Sequence, residues 1–152
     1  MHGGKNVKFK QFQFLKNEAI KKLTALEEEP LCLRKRTIEE CLSADAVMLA
    51  YIGDAVYSMY VRERVVQMNI TKVQILHTIV TEFICAKSQA KVLLEIENTF
   101  TEDEQAIARR ARNSNVNVPK SSTVQEYRSS TAFEAVLGFL YETRQEDRLQ
   151  HI

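Results

Sequence analysis

Asp54 is the only charged residue among the sixteen that separate Asp45 from Arg62, and Glu134 is the only one from Ser129 to Tyr141. Both have small neighbours that leave room for a partner: Ala50, Gly53, Ala55 and Ser58 around Asp54, and Ser130, Thr131, Ala135 and Gly138 around Glu134. An isolated ionised carboxylate in a dry interior is so costly that it protonates, pairs with a base or binds a cation. Neither run contains a Lys or Arg. If helix packing brings the two acids together, repulsion adds to the cost of burial, and a divalent cation relieves both. Mg²⁺ prefers oxygen ligands, commonly takes one or two carboxylates and keeps several waters. A cation held in that way activates water and stabilises charge on a phosphate undergoing in-line displacement, which is the chemistry of phosphodiester hydrolysis. A single acid in an apolar helix is more often a solvated residue on an exposed face; the second, matched acid brings the metal reading level with that one.

These side chains need helices to position them. Only four Gly and two Pro occur, and no run of alternating β-branched residues stands out, so an all-α fold is expected. Ser43 as N-cap, with Asp45 in the first turn, opens a helix on which Val47, Ala50, Tyr51, Asp54, Ser58 and Val61 share a face. The run is too short and too polar for a membrane span, which takes roughly 20 predominantly apolar residues. A capping box at Thr71 and Gln74 predicts a second helical region to about Glu97, with a core stripe of Val73, Leu76, Ile79, Val80, Phe83 and Ile84. Another box at Thr101 and Glu104 predicts a helix ending near Asn113, and a polar, basic loop with Pro119 follows. A long last helix begins near Ser122 or Thr123, with Glu126 completing the cap, and runs through Tyr141. Residues 1–42 are a Lys-rich extension, partly helical or disordered, with one amphipathic helix expected before Pro30; residues 43–152 form the expected catalytic domain.

Composition narrows the function. A length of 152 residues points to one main domain, and a hydrophobic content of 45% is enough for a core. The net charge of +1 means that any nucleic-acid surface is a local patch. Three cysteines, Cys32, Cys41 and Cys85, without CxxC spacing, read as free thiols of a reducing cytoplasm and not as a zinc site. His2, His77 and His151 are isolated, and no signal peptide is visible.

The stretches "LAYIGDAVYSMYVRE", "RRARN" and "YRSSTAFEAVLGFLYE", in this order and spacing, resemble the ribonuclease III catalytic domain, specifically the short bacterial form called mini-ribonuclease III. The resemblance covers about residues 43 to 152. It implies a helical endonuclease domain that acts as a homodimer, uses Mg²⁺ with Mn²⁺ as a substitute, cleaves double-stranded RNA and matures the 23S ribosomal RNA precursor. The family's essential acids fall on Asp54 and Glu134. Full-length relatives carry further acids where this chain has Ala50 and Thr131, which the mini form also lacks, and a glycine in the basic loop where this chain has Ala111. A ribosomal protein is a further expected partner.

Full-length ribonucleases III append an RNA-binding domain, whereas the eleven residues after Tyr141 are too few for one, so the catalytic domain is expected to hold RNA unaided. Duplex RNA is recognised by shape, through phosphates and 2′-hydroxyls. The expected contacts are Arg109, Arg110, Arg112, Asn113, Lys120 and Arg128, with Lys87 and Gln89 of "CAKSQAK" as a further family segment. Surface Arg near a helix end also suits the helix dipole without any ligand. The N-terminal lysines are expected to add sequence-independent RNA affinity. The competing expectation is a ribonuclease III-like module that binds RNA or the ribosome without cutting.

Overall fold

The computed structural model describes residues 3–24, 35–115 and 117–152, and these form two separate units, one before and one after residue 34. The expected break at Pro30, together with Cys32, lies outside the described residues. In the first unit, helix α1 spans Gly3–Thr24. It lacks the single apolar face expected of it: at 100° per residue Lys16 falls between Phe9 and Phe12, and Phe14 points the opposite way.

The second unit begins at Lys35, ahead of the boundary at residue 43 read from the sequence. The residues responsible form α2 (Ile38–Ser43), opened by a Thr37–Glu40 capping box. Cys41 in this helix is fully buried, and Arg36 ties its entry to the far end of the domain, donating its backbone N–H to the Glu142 carbonyl and pairing with the Glu142 carboxylate at 3.0 Å. Ser43 is therefore not the cap of the next helix. It ends α2, donating its hydroxyl to the Glu39 and Glu40 carbonyls, and Asp45 caps α3 (Ala46–Val66) by accepting from the Val47 N–H at 2.9 Å.

The second helical region is two helices, α4 (Val73–Ile84) and α5 (Ala86–Ile96), broken at Cys85 by an extended backbone with ψ 152°. Thr71 does not cap α4; Lys72 stands at its N-cap without a side-chain bond. Only Val80 of the expected stripe is fully buried, against Val61 and Val65 of α3, while Val73 and Phe83 are exposed. A 3₁₀ turn (Glu97–Thr99) leads to α6 (Glu102–Arg112), whose Thr101–Glu104 box and Asn113 C-cap match the sequence reading.

Helix α7 (Val124–Glu142), opened by a Thr123–Glu126 box, is the centre of the domain. Ten of its residues are buried, including every one from Ala135 to Leu140, which is the signature of a helix surrounded by others rather than lying on a surface. Helices α3, α5 and α6 pack around it. The chain then turns through Arg144, at φ 57°, into the short helix α8 (Glu146–His151). Arg148 fastens α8 to α6 with two bonds to the Glu104 carboxylate, at 2.7 and 2.8 Å, and a third to the Thr99 carbonyl. Among the described residues there is no strand, and no helix is long and apolar enough to cross a membrane.

Candidate active site

The two lone acids meet because two glycines do. A Cβ on Gly53 would lie 1.7 Å from the Glu134 carbonyl oxygen, and one on Gly138 would lie 1.9 Å from the Leu49 carbonyl oxygen. Helices α3 and α7 therefore cross backbone to backbone, each supplying a glycine to the other. Small neighbours complete the crossing: Ala50, Ser130, Thr131 and Ala135 are all buried. Ala50 and Thr131 occupy the places where full-length relatives carry additional acids, and Thr131 donates its hydroxyl to the Tyr127 carbonyl. Tyr57 meets Phe133 edge to face, with ring centroids 5.0 Å apart, beside the crossing.

The acids themselves are unequal. Asp54 is exposed, which corrects the expectation that both would be withdrawn from water, whereas Glu134 is mostly buried. Burial first, and then the neighbouring Asp54 charge, push the Glu134 carboxyl up to about 7. The Gln89 amide opposes them weakly, since it lies beside Glu134 but neither its nitrogen nor its oxygen completes a hydrogen bond. No Lys or Arg among the described residues pairs with either acid.

Two carboxylates and an orphaned buried amide are a set of hard oxygen donors suited to a hydrated Mg²⁺, which needs only one or two protein carboxylates. Among the described residues no group of three or more His, Cys, Asp or Glu gathers as a metal site, so any cation held here keeps most of its water. The donor set fits Mg²⁺ and argues against zinc, whose protein sites are built on His or Cys with at least three ligands.

The basic residues divide by what already holds them. Arg110 donates to the carbonyls of Leu42 and Ala44 and so locks the junction between α2 and α3. Arg112 pairs with Glu97 at 3.0 Å. Arg109, Asn113, Lys120, Arg128 and Lys87 are exposed, on α6, the following loop, α7 and α5. Gln89 is 1% exposed, unlike its neighbour Lys87, and turns to the Glu134 carboxylate instead of the surface. Ala111 is fully buried within α6, so the missing glycine of the basic loop leaves an unbroken helix through Arg112.

Three features escaped the sequence reading. The glycine pairing needs the tertiary crossing, and only the small residues around each acid hinted at it. The placement of Gln89 depends on the turn of α5 that the Cys85 break sets. Lys91, exposed one turn beyond Lys87, was legible as an i,i+4 repeat of it. The carboxyl of Glu126 is held low chiefly by its bonds to Thr123, with Lys87 and Lys91 adding to the effect, so both lysines lie near the start of α7.

Comparison with known proteins gives this geometry its family. The Ribonuclease III domain profile matches residues 47–145, which contain both acids and both glycines. The Mini-ribonuclease 3 of Thermoanaerobacter sp. (strain X514) is 42% identical over 117 residues, 76% of this chain and 82% of its own. That of Staphylococcus aureus is 43% identical over 105 residues, 67% of this chain and 78% of its own. A crystal structure of a protein from Fusobacterium nucleatum superposes with a TM-score of 0.68 at 31% identity, over 72% of this chain and 89% of that one. An all-helical domain whose central crossing presents two unpaired acids, with relatives this similar over most of their length, belongs to the ribonuclease III family in its Mini-ribonuclease 3 branch and is an endoribonuclease.

Proposed function

We propose that this chain cleaves double-stranded RNA in a Mg²⁺-dependent reaction, acting as a cytoplasmic homodimer on the stem of the 23S ribosomal RNA precursor, with Mn²⁺ able to substitute and a ribosomal protein assisting on the natural substrate. The observation that carries this reading is the pair of unpaired carboxylates brought together by touching helix backbones. Ribonuclease III-type enzymes are generally dependent on divalent metal, and Asp54 and Glu134 are the residues that would hold it. When bound, such a cation supplies activated water and neutralises charge on the scissile phosphate.

The protein's own residues supply position. Asp54, at the solvent edge, and Glu134, behind it, would hold the cation on a helix pair whose backbones already touch and so cannot draw closer. Loss of the Glu134 proton is part of assembling the site. Arg109, Asn113, Lys120, Arg128, Lys87 and Lys91 lie free on the surface to meet phosphates and 2′-hydroxyls of a duplex, while Arg110 and Arg112 hold the elements that carry them. Residues 35–152 carry fourteen Lys and Arg against sixteen Asp and Glu, whereas α1 carries six Lys against one Glu; this supports the extension as a source of sequence-independent attraction to RNA.

A second copy is supported by the outer face of α3. Tyr51 is 82% exposed, and Met48 and Met59 are exposed beside it. A cleft of about 640 Å³ in the same unit is lined by Ile52, Val56 and Tyr60 of α3 with Phe133, Tyr141 and Ile152, an apolar surface of the kind a partner subunit covers.

The test is digestion of a 23S precursor stem, with and without Mg²⁺, by the wild type, Asp54→Asn and Glu134→Gln. Cleavage only by the wild type and only with the cation is expected. Metal-independent cutting, or cutting by both variants, overturns the reading. Tight duplex binding without cutting by the wild type would favour a non-catalytic RNA-binding module in its place.

A further inference from the structure

Gln89 is the polar residue on the buried face of its helix. It shares the inward face of α5 with Ala90 and Leu93, one turn from the latter, and all three are buried. At 1% exposure it is among the largest fully buried side chains of the protein, and both its Oε1 and its Nε2 are without a hydrogen-bond partner. Such an arrangement is expensive, because a buried amide left unsatisfied forfeits its hydration without replacement. A Leu would serve the packing better. The amide lies beside Glu134 and beneath no exposed surface, so it cannot contact RNA; what it can reach is the carboxylate and whatever that carboxylate holds.

We infer that Gln89 is a positioning residue of the cation site, its Nε2 turning the Glu134 carboxylate toward Asp54 and its Oε1 accepting from the hydration shell of the bound cation. This rests on the reading of Asp54 and Glu134 as the metal ligands. With only two acids in the site, a cation that keeps most of its waters needs those waters oriented, and a neutral amide with one donor and one acceptor can serve the ligand and the shell together. The same residue explains why the orphaned atoms persist in a buried face of α5. Their bonds are completed when a cation draws the Glu134 carboxylate into place and brings its own waters.

The experiment is a titration of the full-length protein with Mn²⁺ alone, followed by electron paramagnetic resonance, together with thermal melting of the metal-free protein, for wild type, Gln89→Leu, Gln89→Glu and Glu134→Gln. Partners that orient metal ligands typically contribute about 10- to 100-fold in affinity. Gln89→Leu is expected to weaken Mn²⁺ binding about tenfold while leaving the metal-free melting temperature unchanged or raised, since it removes an unsatisfied amide. Gln89→Glu is expected to restore the affinity. Unchanged Mn²⁺ affinity in Gln89→Leu overturns the inference, whatever its melting temperature. If Gln89→Leu loses both affinity and stability, recovery of affinity in Gln89→Glu supports the role and failure to recover overturns it. If Glu134→Gln also binds Mn²⁺ as the wild type does, it is the assignment of the metal ligands that fails.

Discussion

Glu104 and Glu134 are both carboxylates withdrawn from water by helix packing, and their surroundings are opposite. Glu104 on α6, 1% exposed, accepts two bonds from Arg148 and one from the Thr101 N–H. Burial raises its pKa, but the Arg148 bonds, the Thr101 bond and the Arg148 charge together outweigh burial and hold it below its usual value. Glu134 on α7 has no cation, an amide that does not complete a bond, and Asp54 for a neighbour, and it is raised to about 7. The satisfied acid is a rivet between α6 and α8. The unsatisfied one waits for a ligand. Burial of a charge therefore says little about function by itself; what distinguishes the two is whether the protein has answered the charge.

That contrast can be broken most sharply by neutralising each acid in turn. Glu134→Gln is expected to lower duplex-RNA cleavage at least about 1000-fold while leaving the melting temperature at pH 8 unchanged or higher. Glu104→Gln is expected to do the reverse, lowering the melting temperature while the folded fraction still cuts. Cleavage assays beside calorimetry check both, and parallel behaviour of the two variants would dissolve the distinction.

The crossing that creates the Glu134 environment is tested by Gly138→Ala. Its new Cβ meets the Leu49 carbonyl, which is backbone and cannot rotate away, so a loss of about 3 kcal/mol in urea unfolding is expected, despite the gain of about 1 kcal/mol in helix propensity. A net stabilisation would mean that α3 and α7 are not in such close contact. On the other side of the comparison, Arg148→Ala leaves Glu104 buried without its cation. An effect of about 3 kcal/mol on denaturant unfolding is expected, and an effect near zero would reduce the rivet to a surface ion pair.

The two acids also move stability in opposite directions with pH. Glu134 ionises near 7 in the folded, metal-free protein and near 4.5 when unfolded, so the native state holds the extra proton between those values. Stability from this group is present below about 4.5 and declines as pH rises toward 7, by about 3 kcal/mol in all. Glu104, with its lowered pKa, stabilises above its unfolded value and loses that contribution as the solution becomes more acid. Denaturation of the metal-free protein across pH 4 to 8 should show a falling slope that Glu134→Gln removes; a slope unchanged in the variant would assign it elsewhere. The smallest expected effect is at the entry of α7, where Thr123→Ala removes a capping box, costing about 1 kcal/mol by thermal unfolding without moving the acid–base behaviour of Glu134.

Local chemistry was legible along the chain where it depends on residues three or four apart. The boxes at Thr101–Glu104 and Thr123–Glu126 and the end of α6 at Asn113 follow from hydrogen bonds within one turn. The same logic failed at Ser43 and Thr71. Ser43 is drawn into α2, a helix hidden in a stretch read as extension, and the side chain of Thr71 does not cap α4, which starts later than the box predicted. A cap motif states what a turn can do, and the neighbouring elements decide whether it does so.

The sequence by itself determined that this is a helical protein with two isolated acids in settings of small residues, because composition and i,i+3 or i,i+4 spacing are properties of the chain alone. Only the tertiary structure decided that Gly53 and Gly138 bring those acids together, that Asp54 faces water while Glu134 is mostly withdrawn from it, and that Gln89 turns inward beside Glu134. The physical reason is that dielectric environment, repulsion and hydrogen-bond satisfaction depend on distances between helices far apart in sequence, and those distances exist only once the backbones have met.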